Sequence, residues 1–252
     1  MIIKNLIFIN MDNKFTPNIN SFFVHIPKTA GMAIHDTILN LKRKFGWFLG
    51  SEFDEKQDKS INKIEKNGSY TIGHIYYKSL IDEGYLDKKY FKNSFKFCFV
   101  RNPYDRLVSL YEYHQVKKRL NLNFDDFVKY LYYEYKNKRI PEIGLYNIKT
   151  FHKDSKLYHK NIYGNQYNSM IKWIPSDIGF IGRQETFNFD VDQLIRILGY
   201  TGPALETKKI NTSRREDYLS YYTNKQTIKY VTKIYKKDFQ RFGYQILCYS
   251  SS

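Results

Sequence analysis

Apolar positions along the chain switch between two kinds of run. Short apolar stretches at Ser21–Ile26, Tyr70–Ile75, Phe95–Arg101 and Ile178–Gly182 have the length and composition of core strands. Elsewhere the apolar residues recur every three or four positions, as on one face of a helix. Ile34, Ile38, Leu41 and Phe45 do so after the first stretch, and Leu107, Leu110, Tyr111 and His114 after the third. Asn102-Pro103 supplies an N-cap and a first-turn proline for the latter helix. A further helix is predicted to open at Asp190, where Gln193 completes a capping-box pattern; it buries Val191, Leu194, Ile195 and Leu198 and stops at Gly199. The last helix, from about Asn224 to Arg241, turns Ile228, Val231, Tyr235, Phe239 and Phe242 inward and lysines outward. Strands alternating with helices predict an α/β fold, a central parallel sheet flanked by helices.

Two regions fit this rhythm less well, residues 42–68 and 121–175. The latter opens with a Tyr-rich helix, Phe124 to Tyr135, read as a helix with ordinary buried tyrosines rather than a sugar-stacking platform. No repeat and no linker rich in Pro, Gly or Ser divides the chain, so residues 1–252 read as one domain with two insertions. In α/β enzymes such insertions cover the ligand site at the carboxyl ends of the strands.

Composition narrows the partners. The 252 residues suffice for a sizeable core, and 41 Lys+Arg against 25 Asp+Glu give a net charge of +16. That favours a nucleotide, an acidic glycan, a nucleic acid or a lipid surface without choosing among them, since the Lys, Asn, Ile and Tyr usage also matches an AT-rich coding sequence. Two cysteines build no disulfide framework and no metal-spaced cluster; Cys98, inside an apolar strand, reads as a buried structural thiol. No run has transmembrane length, and Leu6–Ile9 is too short for a secretory leader, so the expected compartment is the cytoplasm.

The chemistry concentrates at two strand ends. Between the first strand and its helix lies Pro27-Lys28-Thr29-Ala30-Gly31. A turn that opens a helix presents backbone N–H groups and a positive dipole end to an anion, and Lys28 adds a full charge. The lysine precedes the glycine, so this is not a Walker A loop. At the end of the third strand, Arg101 and Ser109 could converge on a second tetrahedral anion. Asp105 and Arg106 read as partners on the helix surface.

These two segments resemble known motifs. His25-Ile26-Pro27-Lys28-Thr29-Ala30-Gly31 is similar to the 5′-phosphosulfate loop of the carbohydrate sulfotransferase family, which includes heparan sulfate 2-O-sulfotransferase and its bacterial relatives. Phe99-Val100-Arg101-Asn102-Pro103-Tyr104-Asp105-Arg106-Leu107-Val108-Ser109 resembles that family's 3′-phosphate strand and helix. Weaker likeness continues through Ile181–Glu185, Asn211–Arg214 and Lys237–Tyr244. The resemblance implies a P-loop-like three-layer fold and sulfuryl transfer from 3′-phosphoadenosine 5′-phosphosulfate to a hydroxyl, on a carbohydrate. It places Lys28 on the 5′-phosphate and its bridging oxygen. Backbone N–H groups of Thr29, Ala30, Gly31 and Met32, with the Thr29 hydroxyl, would wrap that phosphate. Arg101 and Ser109 would take the 3′-phosphate, and Ser213 and Arg214 a loop closing over the nucleotide. Where many relatives carry Thr or Ser just after the loop glycine, this chain has Met32 and Ala33, which leaves only backbone donors there.

The attacking hydroxyl must lose a proton, for which a histidine near neutral pH is suited. His74, after Gly73 at the end of the second strand, is the expected base; Gly73-His74 resembles the pair carrying that role in some relatives. His25 falls on the first strand, His35 and His114 on helices, and His152 and His159 in the second insertion. No metal is expected in this chemistry, and no nucleic acid as a partner. Two other readings compete: a nucleotide-dependent phosphotransferase, which lacks the Walker lysine and a Mg²⁺-binding carboxylate after a strand, and a basic module that binds polyanions without catalysis, which leaves both motifs unexplained.

Overall fold

The structure, a computed structural model, describes residues 21–45, 76–82, 86–139, 165–203 and 216–248. The predicted strand Tyr70–Ile75 with His74, and the Asn211–Arg214 segment, lie outside the described residues. Three parallel strands form the sheet, in the order β1 (Ser21–Val24), β2 (Phe95–Val100) and β3 (Phe180–Arg183). Val24 pairs with Cys98 and Val100 with Arg183, so all three strands end along one edge.

The pleat of β2 sorts its side chains to two cores. Phe97 and Phe99, with Phe23 of β1, meet Ile34, Ile38 and Leu41 of helix α1 (Gly31–Phe45). The same core takes Val191, Leu194, Ile195 and Leu198 from helix α7 (Phe187–Ile197) and its C-cap. Cys98 and Val100, with Phe22 and Val24, face the other way onto Leu80 of α2 (Tyr77–Asp82), Phe91 of α3 (Lys88–Asn93), Met170, Trp173 and Phe242. Strands buried on both faces read as continuous apolar runs, which is why the sequence revealed them. Burial pushes the Cys98 thiol far up, leaving an inert packing group.

A third cluster joins α4 (Pro103–Tyr113), which leads into α5 (Val116–Leu120), with α6 (Phe124–Lys136), α8 (Lys225–Ile234) and α9 (Lys236–Phe242). Three expectations need correction here. Helix α7 starts at Phe187, ahead of Asp190, whose carboxylate accepts from the Arg183 N–H at 2.7 Å and the Thr186 hydroxyl at 2.6 Å. Asp190 thus ties the end of β3 to the helix from inside its first turns instead of capping it. The single C-terminal helix is two, broken at Tyr235, whose hydroxyl donates to the Tyr167 carbonyl at 2.9 Å. The tyrosines of α6 are not its core: Phe124, Phe127, Val128, Leu131 and Glu134 are buried, while Tyr133 and Tyr135 are exposed and Tyr132 stacks on Tyr230 of α8 at 4.1 Å.

Candidate functional site

The turn from β1 into α1 is strained and folded on itself. Lys28 has φ 67° and Ala30 φ 75°, both in the left-handed region, which costs a residue with a Cβ about 1–2 kcal/mol. Such strain gathers where a backbone must face a ligand. Thr29, between them, is fully buried and donates its hydroxyl to the Ile26 carbonyl at 2.8 Å. The Thr29 hydroxyl expected to donate to a phosphate is therefore already committed to the loop's own backbone. The His25 ring stacks on Phe23 at 5.3 Å and lies so close to Gly31 that a Cβ there would sit 1.9 Å from Nε2. With the ring in this place, residue 31 has no room for a side chain.

Helix α1 opens at Gly31, with the Ile34 N–H donating to the Ala30 carbonyl at 3.0 Å. Its first N–H groups, at Gly31, Met32 and Ala33, have no carbonyl four residues back within the helix. No acidic residue occupies that first turn, and the Met32 side chain is turned out to solvent. This is the geometry of an anion seat.

The turn from β2 into α4 meets it directly. The Arg101 guanidinium donates from Nε to Asp105 Oδ2 at 2.8 Å and from Nη1 to the Lys28 carbonyl at 3.3 Å. Asp105 is thus the partner of Arg101, not of Arg106. Asn102 caps α4 by accepting the Tyr104 N–H at 3.0 Å, with Pro103 in the first turn. The Asn102 N–H donates to Glu185 Oε1 at 2.6 Å, and Tyr244 donates its hydroxyl to Glu185 Oε2 at 3.0 Å. Burial first, then the Glu185 carboxylate, push the Tyr244 hydroxyl well above its usual range, so it stays a donor. Ser109 is buried two turns into α4. At the far end of that helix the Lys28 ammonium lies over the Tyr113 ring, 4.1 Å from its centroid.

Arg106 is where sequence reasoning missed most. It is 1% exposed, not a surface residue. Nε donates to the Pro27 carbonyl at 2.9 Å, Nη1 to Asn168 at 3.0 Å and Nη2 to Gln166 at 2.6 Å. Burial pulls the guanidinium below its ordinary value, opposed by Tyr235, Asp238 and Tyr76 nearby. Asp238, fully buried in α9, holds the same segment from its other end, accepting from the Ser169 hydroxyl at 2.5 Å and the Met170 and Ile171 N–H groups at 2.9 and 3.1 Å. A hydrogen bond to a charged group contributes about 1.5–3 kcal/mol, enough for three to offset burying one cation. The signal was present: Pro103, Arg106, Leu107, Leu110 and Tyr111 share the helical spacing of a buried face.

The structure thus brings together Lys28, Thr29, Ala30, Gly31, Met32 and Arg101, while Ser109 is placed in the wall of α4. His74, Ser213, Arg214, His152 and His159 lie outside the described residues. His114 is buried, its Nε2 3.2 Å from Gln166 Oε1, a structural contact. Among the described residues no three of His, Cys, Asp and Glu gather to hold a metal ion, and no helix is long and apolar enough to cross a membrane.

A family model described as "Sulfotransferase family" matches residues 12–245. No curated protein matches the chain, and no solved structure does.

Proposed function

The chain belongs to the sulfotransferase family, whose members transfer sulfuryl groups, and from that premise we propose that its donor is 3′-phosphoadenosine 5′-phosphosulfate and its acceptor a carbohydrate hydroxyl. In this reading residues 1–252 form one P-loop-like three-layer domain working in the cytoplasm. The acceptor oxygen attacks sulfur in line, the bond from sulfur to the bridging oxygen of the 5′-phosphate breaks, and adenosine 3′,5′-bisphosphate leaves. The acceptor proton passes to His74. Lys28 and the first N–H groups of α1 stabilise the charge that grows on the leaving phosphate, a preorganised electrostatic role. Arg101, oriented by Asp105, takes the 3′-phosphate with Ser109, and Ser213 and Arg214 close over the nucleotide.

One observation supports this reading above the rest. The two candidate anion sites adjoin at the ends of neighbouring parallel strands, with Arg101 Nη1 3.3 Å from the Lys28 carbonyl. One ligand carrying a phosphate at each end can therefore span them. The test is thermal melting with adenosine 3′,5′-bisphosphate against adenosine diphosphate: the first should raise Tm clearly more than the other. Equal shifts would remove the 3′-phosphate assignment. No shift, with polyanion binding that collapses in salt, would make the chain a basic binding module. His74→Ala should abolish turnover with labelled donor while leaving bisphosphate affinity unchanged; near-normal turnover would unseat His74 as base.

A further inference from the structure

The mechanism uses Lys28 and Arg101 but gives no task to Arg106, a buried cation whose three bonds all run to backbone carbonyls. One of those carbonyls is Pro27, immediately before Lys28. The carbonyl immediately after it, that of Lys28 itself, accepts from Arg101. The two peptide planes flanking Lys28 are therefore each gripped by a guanidinium from one short stretch, residues 101–106. A peptide unit is planar and trans, so fixing the direction of its carbonyl fixes its N–H in the opposite direction. Holding the plane before Lys28 constrains its φ, and holding the plane after it constrains its ψ. The left-handed φ of 67° is the result that needs such outside support, because nothing in a lysine favours it.

We propose that Arg106 is a positioning residue for the anion loop: anchored on the Gln166 and Asn168 carbonyls, it holds the Pro27 carbonyl and so keeps Lys28 left-handed and the loop in the form that leads into the α1 N-terminus. This deepens the donor-site reading above and rests on it for the identity of the anion. The anchor is firm because the same segment is secured independently, by Tyr235 on the Tyr167 carbonyl and by Asp238 on Ser169, Met170 and Ile171. Asp238 hydrogen-bonds the segment and not the loop, and its charge also faces Arg106, so Asp238→Asn serves as the baseline for a loosened segment and a weakened countercharge with the Arg106 hydrogen bonds kept.

The experiment compares Arg106→Lys with Asp238→Asn by amide hydrogen exchange at residues 28–31 of the ligand-free protein and by affinity for adenosine 3′,5′-bisphosphate. A lysine keeps the charge but offers one nitrogen, too few for carbonyls on two separate segments. Arg106→Lys should speed loop exchange and weaken affinity by roughly ten- to a hundredfold, the worth of one charge-assisted bond. Asp238→Asn should lower Tm and change both readings clearly less than Arg106→Lys does, because the Arg106 bond to the Pro27 carbonyl is kept. If Arg106→Lys does not fold, the double variant Arg106→Met with Asp238→Asn leaves no unpaired buried charge and is compared with Asp238→Asn alone. Equal loop exchange in the compared pair would overturn the proposal, since Arg106 would then only hold segment 165–171. Should the unaltered protein fail to bind the bisphosphate, the donor assignment falls, and the exchange comparison still decides the role of Arg106.

Discussion

The turn from β1 into α1 and the turn from β2 into α4 leave adjacent strands at the same sheet edge, yet they are built in opposite ways. The turn into α4 caps its own helix. Asn102 caps the helix, Pro103 presets its first turn, and Glu185 takes the N–H left over at Asn102. The turn into α1 has an alanine at the capping position, two left-handed residues, and a threonine hydroxyl spent on its own backbone. Its support comes from elsewhere: Arg101 and Arg106 on its carbonyls and His25 against Gly31. A helix start that satisfies its own N–H groups has little to offer a ligand, whereas an uncapped one has donors to give and needs outside scaffolding. The difference separates a turn that leaves its backbone N–H groups open from one that caps its own helix and contributes a side chain, Arg101.

Substitutions can break this contrast, the largest effect first. Lys28→Ala should lower turnover about 10²–10³-fold, as loss of one preorganised donor does, with a smaller loss of bisphosphate affinity. Turnover within a few fold of the parent would mean the binding turn carries no chemistry. Gly31→Ala forces a methyl into the His25 ring and should cost about 1–3 kcal/mol in denaturant unfolding. Adding His25→Ala should recover most of that; if it does not, the ring is not what keeps residue 31 bare. Asn102→Ala should cost about 1 kcal/mol of stability and leave donor affinity alone, because it removes only a cap. A lost affinity there would erase the division between the two turns. Ala30→Gly should move stability by only a few tenths, relief of about 1–2 kcal/mol of left-handed strain being set against the greater backbone entropy of glycine.

Much of this was legible in the chain alone. Strands β1 and β2 announced themselves because burial on both faces makes an unbroken apolar run, and Asn102-Pro103 because a cap is a local contract between neighbouring residues. The Lys28 loop was readable for the same reason. Arg106 and Asp238 were not, since what keeps each in the core is a set of backbone partners some sixty or more positions away. Charge argued for the surface, and only the helical spacing of Arg106 argued against it. The break at Tyr235 has no Gly or Pro to mark it, and the bond its hydroxyl makes to the Tyr167 carbonyl is a long-range contact with no local trace. Asp190 misled because an acid near a helix start resembles a cap, while its partners here include the strand before it.

The bond from Asp238 to residues 169–171 has a consequence for the order of events during synthesis. Residues 25–31 leave the ribosome early, but the chain that steadies them runs through Arg106 to segment 165–171 and is secured only when Tyr235 and Asp238 arrive. A nascent polypeptide interrupted before that point would carry every loop residue, with Arg101 and Arg106, and still lack Tyr235 and Asp238. A product terminated earlier would lack the bonds that fasten segment 165–171, on which Arg106 is anchored.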